Sequence, residues 1–304
     1  MIVKVRNVFK RFGDYAASNN ISFEVEKGSV LGLLGPNGAG KTTMIRMITN
    51  ILIPDEGTIE IFDQPSASIV QERIGYLPEE RGLYKKLKVL DQLVYFGQLK
   101  GLNRSDASTR AMKWLTRLDA ADWASKKTQE LSKGMQQKVQ FIAAIMHEPE
   151  LLILDEPFSG FDPINTELLK KIILDLRREG KTIILSTHIM EQAEQMCDSI
   201  VLIDRGRVVL RGNIHEVKKS YKRDTVLIEY EGSDSFLDSF NNLKFISRTT
   251  NRVEFRITDG IDSQDILDAA LKTTHVYKYE VAEPSLHEIF IDTVSKLEAE
   301  YEKK

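Results

Sequence analysis

Cysteine is nearly missing from this chain. Cys197 is the only one in 304 residues, so no disulfide can close within it, which suits a reducing cytosol. Long apolar runs are missing too. No stretch approaches the roughly 18 consecutive apolar residues of a membrane-spanning helix, so any membrane role is expected to come through a partner. The start, Met1-Ile2-Val3-Lys4-Val5-Arg6, alternates as a strand does and lacks the apolar centre of a signal peptide. Charge of one sign is not in excess: the formal net charge is −3, which gives no pull toward nucleic acid or an acidic membrane. The basic runs Lys85–Lys88 and Lys218–Arg223 read as solvated faces or linker. His147, His215, His275 and His287 show no metal-ligand spacing, and no internal repeat or low-complexity segment occurs. What remains, 42% hydrophobic and 29% charged residues, is a globular composition at a length that suits two domains.

The most informative stretch is Gly35-Pro36-Asn37-Gly38-Ala39-Gly40-Lys41-Thr42. It fits G-x-x-x-x-G-K-[ST], the loop whose backbone N–H groups cradle nucleoside-triphosphate phosphates. Ser29 to Leu34 before it reads as a buried strand, and Thr43 to Ile48 after it continues as a helix. A Cβ would stop the loop from turning its amides toward the anion, and the helix N-terminus adds its positive dipole end. Lys41 is expected to reach the β- and γ-phosphates, and the Thr42 hydroxyl to ligand Mg²⁺. The loop from Gly35 to Gly40, with Lys41, Thr42 and Thr43, is the expected phosphate site.

Leu151 to Leu154 is a second apolar strand, and it ends in Asp155-Glu156. Asp155, beside the phosphate loop, is placed to hold Mg²⁺ directly or through water. Glu156 can polarise the water that attacks the γ-phosphate. Leu131-Ser132-Lys133-Gly134-Met135 precedes a helix from Gln136, so the Ser132 hydroxyl and Gly134 amide form another anion site. One nucleotide cannot fill two distant sites in one chain unless a second copy brings its loop across. His188, at the end of the strand from Thr182, is expected to touch the γ-phosphate or the attacking water.

Alternating strands and helices predict an α/β core with a mostly parallel sheet and ligands at the carboxyl ends of its strands. Antiparallel strands at Ile2–Val8, Ile21–Val25 and Thr58–Phe62 precede a helical insertion over about 88–147, with helices at Met112–Leu118 and Gln136–Met146. This core spans 1–215, and a linker follows at 216–224. Residues 225–304 read as an α+β accessory or dimerisation domain in the ferredoxin-like order βαββαβ. Its elements are Thr225–Tyr230, a helix Ser233–Phe240, Leu243–Thr249, Arg252–Thr258, a helix Ser263–Lys272 and Val276–Val281. A last helix starts at Ser285, with Glu288 at capping-box spacing.

This set of motifs, in this order, resembles the ATP-binding subunit of ABC transporters from Met1 to about Gly212. Walker A is Gly35–Thr43, the Q-loop Tyr76–Glu80, the signature Leu131–Met135, Walker B Leu151–Glu156, the D-loop Ser159–Asp162 and the H-loop His188. The resemblance implies a P-loop ABC ATPase core and the cofactors ATP and Mg²⁺. It implies that Phe12 stacks on adenine, with Tyr15 as the alternative. Thr42, Glu79 and Asp155 would form the metal set, and Glu156, His188 and Lys41 the catalytic set. Ser132 and Gly134 would act in trans in a head-to-tail homodimer that encloses two ATPs and drives an integral-membrane permease from the cytoplasmic face.

Two departures bear on the hydrolysis rate. Glu79 stands where the family has glutamine, and the signature reads Leu-Ser-Lys-Gly-Met in place of Leu-Ser-Gly-Gly-Gln. The segment Ala282–Phe290 resembles ABC-2-type exporters, and Pro78–Tyr84 is similar to a bacterial subgroup that includes sodium-export ATPases. Export of sodium or another small solute is the resulting expectation, with no nucleic-acid partner. The rival is a soluble non-transport ABC-type ATPase acting on a ribosome, nucleic-acid or assembly partner. Ribosome-acting kinds normally carry two cassettes and DNA-acting kinds long coiled-coil insertions, whereas this chain has one cassette and no such insertion. A P-loop GTPase is disfavoured because no [NT]-K-x-D segment occurs.

Overall fold

A computed structural model describes residues 1–65, 68–80, 82–221, 225–240, 243–257 and 261–301. The chain divides into two compact units, Met1–Ile214 and His215–Lys304. The first unit opens with β1 (Val3–Phe12), β2 (Tyr15–Val25), β3 (Val30–Leu34), α1 (Lys41–Ile48), β4 (Glu56–Ile61), β5 (Gln64–Pro65) and β6 (Ile74–Leu77). Three helices follow: α2 (Val89–Leu99), α3 (Arg104–Arg117) and α4 (Lys133–Ile145). The unit closes with β7 (Leu151–Asp155), α5 (Pro163–Arg178), β8 (Thr182–Thr187), α6 (Met190–Met196), β9 (Ser199–Asp204) and β10 (Arg207–Asn213).

Two sheets result. One is antiparallel in the order β2-β1-β4-β5, and the other runs β10-β9-β3-β8-β7-β6 with β10 as its antiparallel edge. The central strands are apolar throughout because both faces are covered, as in parallel sheets generally. Alternate residues part to opposite sides. Leu31, Leu33, Ile153 and Ile184 pack with Met44 and Ile45 of α1 and with Val5 and Ile61 of the antiparallel sheet. Leu152, Leu154, Ile183 and Leu185 pack with Phe141 and Ile142 of α4 and with Leu169 and Ile173 of α5. Cys197 is a packing residue: a Cβ on Gly32 would lie 3.0 Å from its Sγ, and burial pushes the thiol up to about 12.

This topology fixes the site. β8 lies between β3 and β7, with Leu34 opposite Thr187 and Asp155 opposite Ser186. The phosphate loop, both carboxylates and His188 therefore leave the sheet at one end. In the helical part, α3 starts at Arg104, well before the helix read at Met112, because Asn103 caps it by accepting from Asp106 N at 2.9 Å.

In the second unit, α7 (Ile214–Ser220) begins one residue before the division, and residues 222–224 of the expected linker lie outside the described residues. Next come β11 (Thr225–Glu231), β12 (Lys244–Arg248), β13 (Arg252–Arg256), α8 (Ser263–Thr273), β14 (His275–Ala282) and α9 (Leu286–Tyr301). The sheet order is β12-β13-β11-β14 with every neighbour antiparallel, the ferredoxin-like arrangement. Thr258 lies outside the described residues. The expected helix at Ser233–Phe240 is a 3₁₀ segment, Ser235–Ser239. Five residues that bury adjacent Phe236 and Leu237 are too few to repay α-helix nucleation. The capping box forms: Glu288 N donates to Ser285 Oγ at 3.2 Å, and Ser285 N donates to Glu288 Oε2 at 2.7 Å.

Phe141 is fully buried between α4 and the parallel sheet. Phe141→Ala is expected to cost about 3–5 kcal/mol, measured by urea unfolding of the first unit. An unchanged midpoint would contradict its place in that core.

Candidate active site

The phosphate loop is shaped by what surrounds it. Gly35 has φ 147° and a Cβ there would lie 2.1 Å from Ile203 O; Gly40 has φ 108° and a Cβ there would lie 2.2 Å from Ala17 O. Only glycine satisfies both demands. Behind the loop, Gly206 N donates to Ala39 O at 3.0 Å. Helix α1 then starts at Lys41 with no side-chain cap and no acidic residue in its first turn. Its first amides are left for an anion, at the positive end of the dipole. Lys41 is 6% exposed, and its Nζ donates to Gly35 O at 2.8 Å and Pro36 O at 3.1 Å, so the loop arches round its own lysine.

Both acidic residues are anchored by Ser186 on β8, Asp155 through its carboxylate and Glu156 through its backbone N–H. Asp155 is completely buried, and its Oδ1 accepts from Ser186 Oγ at 2.5 Å. The nearby Thr42 hydroxyl, like that of Ser186, favours the ionised form of Asp155. Burial raises the Asp155 pKa above the usual carboxylate range, and the nearby Glu79 and Glu156 add to the rise. Its Oδ2 has no hydrogen-bond partner among the described residues. A buried acceptor left in that state fits a cation, and Thr42 and Glu79 line the cleft beside the phosphate loop. Among the described residues no three His, Cys, Asp or Glu side chains cluster as a metal site. A divalent ion here would draw the rest of its shell from phosphate oxygens and water.

Glu156 takes a left-handed backbone (φ 48°) with its N–H donating to Ser186 Oγ at 3.0 Å. Its Oε1 lies 3.6 Å from Lys41 Nζ and 3.0 Å from His188 Nδ1. A carboxylate between an ammonium and an imidazole, at the mouth of a phosphate loop, is arranged to accept a proton from water.

Lys41, Thr42, Glu79 and Glu156 line a cleft of about 460 Å³ with Tyr15, Asn37, Gly38, Gly40 and Thr43, while Asp155 and Ser186 are buried behind it. Phe12 is half exposed, lies opposite Tyr15 in the β1–β2 register and is not among the lining residues; Lys10 Nζ sits 5.8 Å from its ring centroid. Ser132 and Gly134 are not in the cleft either. Ser132 is exposed and caps α4, accepting from Met135 N at 3.3 Å. Gly134 faces the D-loop, a Cβ on it lying 3.6 Å from Gly160 O. Sequence reasoning missed Ser186, whose only signal was a hydroxyl at the end of an apolar strand.

Known proteins share this architecture. Residues 18–159 match the ABC transporter family, and residues 212–294 match the C-terminal domain of DrrA1-3-like ATP-binding proteins. The ABC transporter ATP-binding protein YhaQ of Bacillus subtilis (strain 168) is 42% identical over 293 residues, covering 96% of this chain and 98% of YhaQ. The chain belongs to the ATP-binding subunits of ABC transporters. As such it is a nucleotide-binding ATPase. NatA of the same bacterium, also an ABC transporter ATP-binding protein, is 38% identical over 73% of this chain and 94% of its own length. The Nod factor export ATP-binding protein I of Cupriavidus metallidurans is 36% identical over 71% of this chain and 72% of its own. A solved ATP-binding subunit of an ABC transporter superposes with TM-score 0.68 at 30% identity, over 72% of this chain and 93% of its own. A cassette solved as a dimer in a post-hydrolysis state with ADP and Pi shares the fold, with TM-score 0.65 at 24% identity over 70% and 98% of the two chains.

The raised pKa of Asp155 means that its ionised form weakens the folded state as pH climbs from the ordinary carboxylate range through the raised value. Asp155→Asn should therefore melt above wild type at pH 7, the gap closing as pH falls below about 4. The same variant should lose about two orders of magnitude or more of Mg²⁺-dependent ATPase activity. Calorimetry across pH, paired with a phosphate-release assay, checks both. A variant less stable than wild type at pH 7 would contradict the electrostatic account.

Proposed function

We propose that this subunit works as a head-to-tail homodimer, hydrolyses Mg²⁺–ATP between the phosphate loop of one copy and the signature of the other, and energises a membrane permease in export. One observation supports the dimer above all: the anion site at Ser132 and Gly134 stands outside the nucleotide cleft of its own chain. In trans, the Ser132 hydroxyl and the α4 N-terminus meet the γ-phosphate, and Lys133 adds a cation beside them. Thr42, Asp155 and Glu79 hold Mg²⁺, which when bound offsets the charge of the phosphates. Glu156 takes the proton of the attacking water, and His188, bonded to Glu156, keeps that carboxylate aimed. Lys41 exchanges its two loop carbonyls for the β- and γ-phosphates. Phe12 carries the adenine.

No helix among the described residues is long and apolar enough to cross a membrane, so attachment goes through a partner. A second cleft of about 340 Å³ suits that partner. It is lined by Ile51, Pro78, Leu83, Phe96 and Leu99, beside the 78–84 segment that carries Glu79. Ile51 and Leu99 are 57% and 61% exposed, and Tyr84, Tyr95 and Phe96 make a ring cluster with centroids 5.7–6.1 Å apart. An exposed apolar and aromatic patch of this kind marks an interaction surface. We assign it to an apolar cytoplasmic segment of the permease, close enough to Glu79 to feel the state of the nucleotide. Export is the direction named for the Nod factor relative.

Glu156→Gln should lower turnover about 100-fold or more and convert the protein to a dimer on size exclusion with Mg²⁺–ATP. Wild-type turnover in a monomeric variant would refute the role of Glu156. Leu99→Glu should leave ATP affinity unchanged while a polytopic partner no longer copurifies from detergent-solubilised membranes. Undiminished copurification would remove the patch from the account.

A further inference from the structure

The hairpin joining β1 to β2 reaches the phosphate loop through one side chain. Tyr15 Oη donates to Gly38 O at 2.6 Å. The same peptide unit is held at its other end, where Ala39 N donates to Pro36 O at 3.2 Å. Gly38 is otherwise open: no atom lies within 4 Å of where its Cβ would be. Gly13, at the hairpin tip, is equally free of packing neighbours. Nearer its base, the hairpin is tied by Asn19 N donating to Gly206 O at 2.7 Å. The tip is thus a short arm fixed at Asn19 and tethered at its far end by a phenol.

Phe12 and Tyr15 are the last register pair of β1 and β2 and leave the ladder on one face, separated only by Gly13-Asp14. Whatever fixes Tyr15 therefore fixes Phe12. The Tyr15 hydroxyl is committed to a carbonyl of the phosphate loop, and the residue lines the cleft beside that loop, so it is not a free platform for a base. We propose that Tyr15 is a positioning residue, a latch that holds the Phe12 platform in register with the phosphate cradle so that one ATP meets both. This rests on the assignment of Phe12 to adenine. The latch suits tyrosine because a rigid ring with few rotatable bonds transmits position at little entropic cost.

The test is a double-mutant cycle on ATP affinity with Tyr15→Phe, Phe12→Ala and the double variant, together with kcat at saturating ATP. Both aromatics are about half exposed, so neither change threatens the core. Tyr15→Phe should raise the Kd for ATP about three- to tenfold, the range of one net hydrogen bond, with kcat unchanged. In the Phe12→Ala background the same change should add nothing, because the platform it positions is gone. An equal penalty in both backgrounds overturns the latch, since the hydroxyl then serves the loop alone. No penalty in either, or a fall in kcat with Kd unchanged, overturns it too. Phe12→Ala with wild-type affinity is the separate outcome that removes the adenine assignment, and the latch with it.

Discussion

A helix whose first amides have no cap is the constraint from which the rest of the first unit follows. Those amides and the dipole behind them must be kept for a phosphate, so α1 carries neither a capping side chain nor an acid in its first turn. The loop before it must then be held by its surroundings. Ile203 O presses on Gly35, Ala17 O presses on Gly40, and Gly206 N ties down Ala39. These contacts come from β9, from the turn between β9 and β10, and from β2, so the antiparallel sheet is part of the nucleotide site and not an appendage.

Electrostatics is the second theme. Glu156 and Glu79 line a cleft built for a polyanion, with Asp155 buried beside Glu156, an arrangement that opposes binding unless cations intervene. Lys41 is one and lies against Glu156. The Mg²⁺ proposed for Thr42, Asp155 and Glu79 would be the other, and Asp155 Oδ2, without a hydrogen-bond partner among the described residues, is the atom that asks for it. The Ser186 hydroxyl holds both neighbouring acidic residues, donating to the Asp155 carboxylate and accepting from the Glu156 backbone amide. In the proposed metal set, glutamate at position 79 would add a negative charge that a neutral amide lacks, and so would lean more on the cation.

Much of this was legible in the sequence because it is local. The phosphate loop, the strand ending in Asp155-Glu156 and His188 are each contiguous with an apolar run, and an apolar run in an α/β chain ends at the edge where ligands bind. The βαββαβ order likewise survived as the sheet order of the second unit. Features that depend on distant contacts were not legible. Nothing local says that Tyr15 reaches Gly38, 23 positions away. Nor could periodicity show that residues 235–239 wind as a 3₁₀ turn, because two adjacent buried side chains carry no period. The early start of α3 was within reach, since Asn103 followed by Asp106 is a capping pattern.

The central claim is that one working site is made from two copies of the chain. Mixing Lys41→Ala protein with Ser132→Arg protein tests it most directly. Each alone lacks one half of every site. A mixed dimer joins the intact phosphate loop of the Ser132→Arg copy to the intact signature of the Lys41→Ala copy. Two separately inactive preparations should therefore recover ATPase activity on mixing. Activity that stays at the level of the separate proteins, in mixtures shown to form dimers, would contradict a shared site and place all the chemistry within one chain.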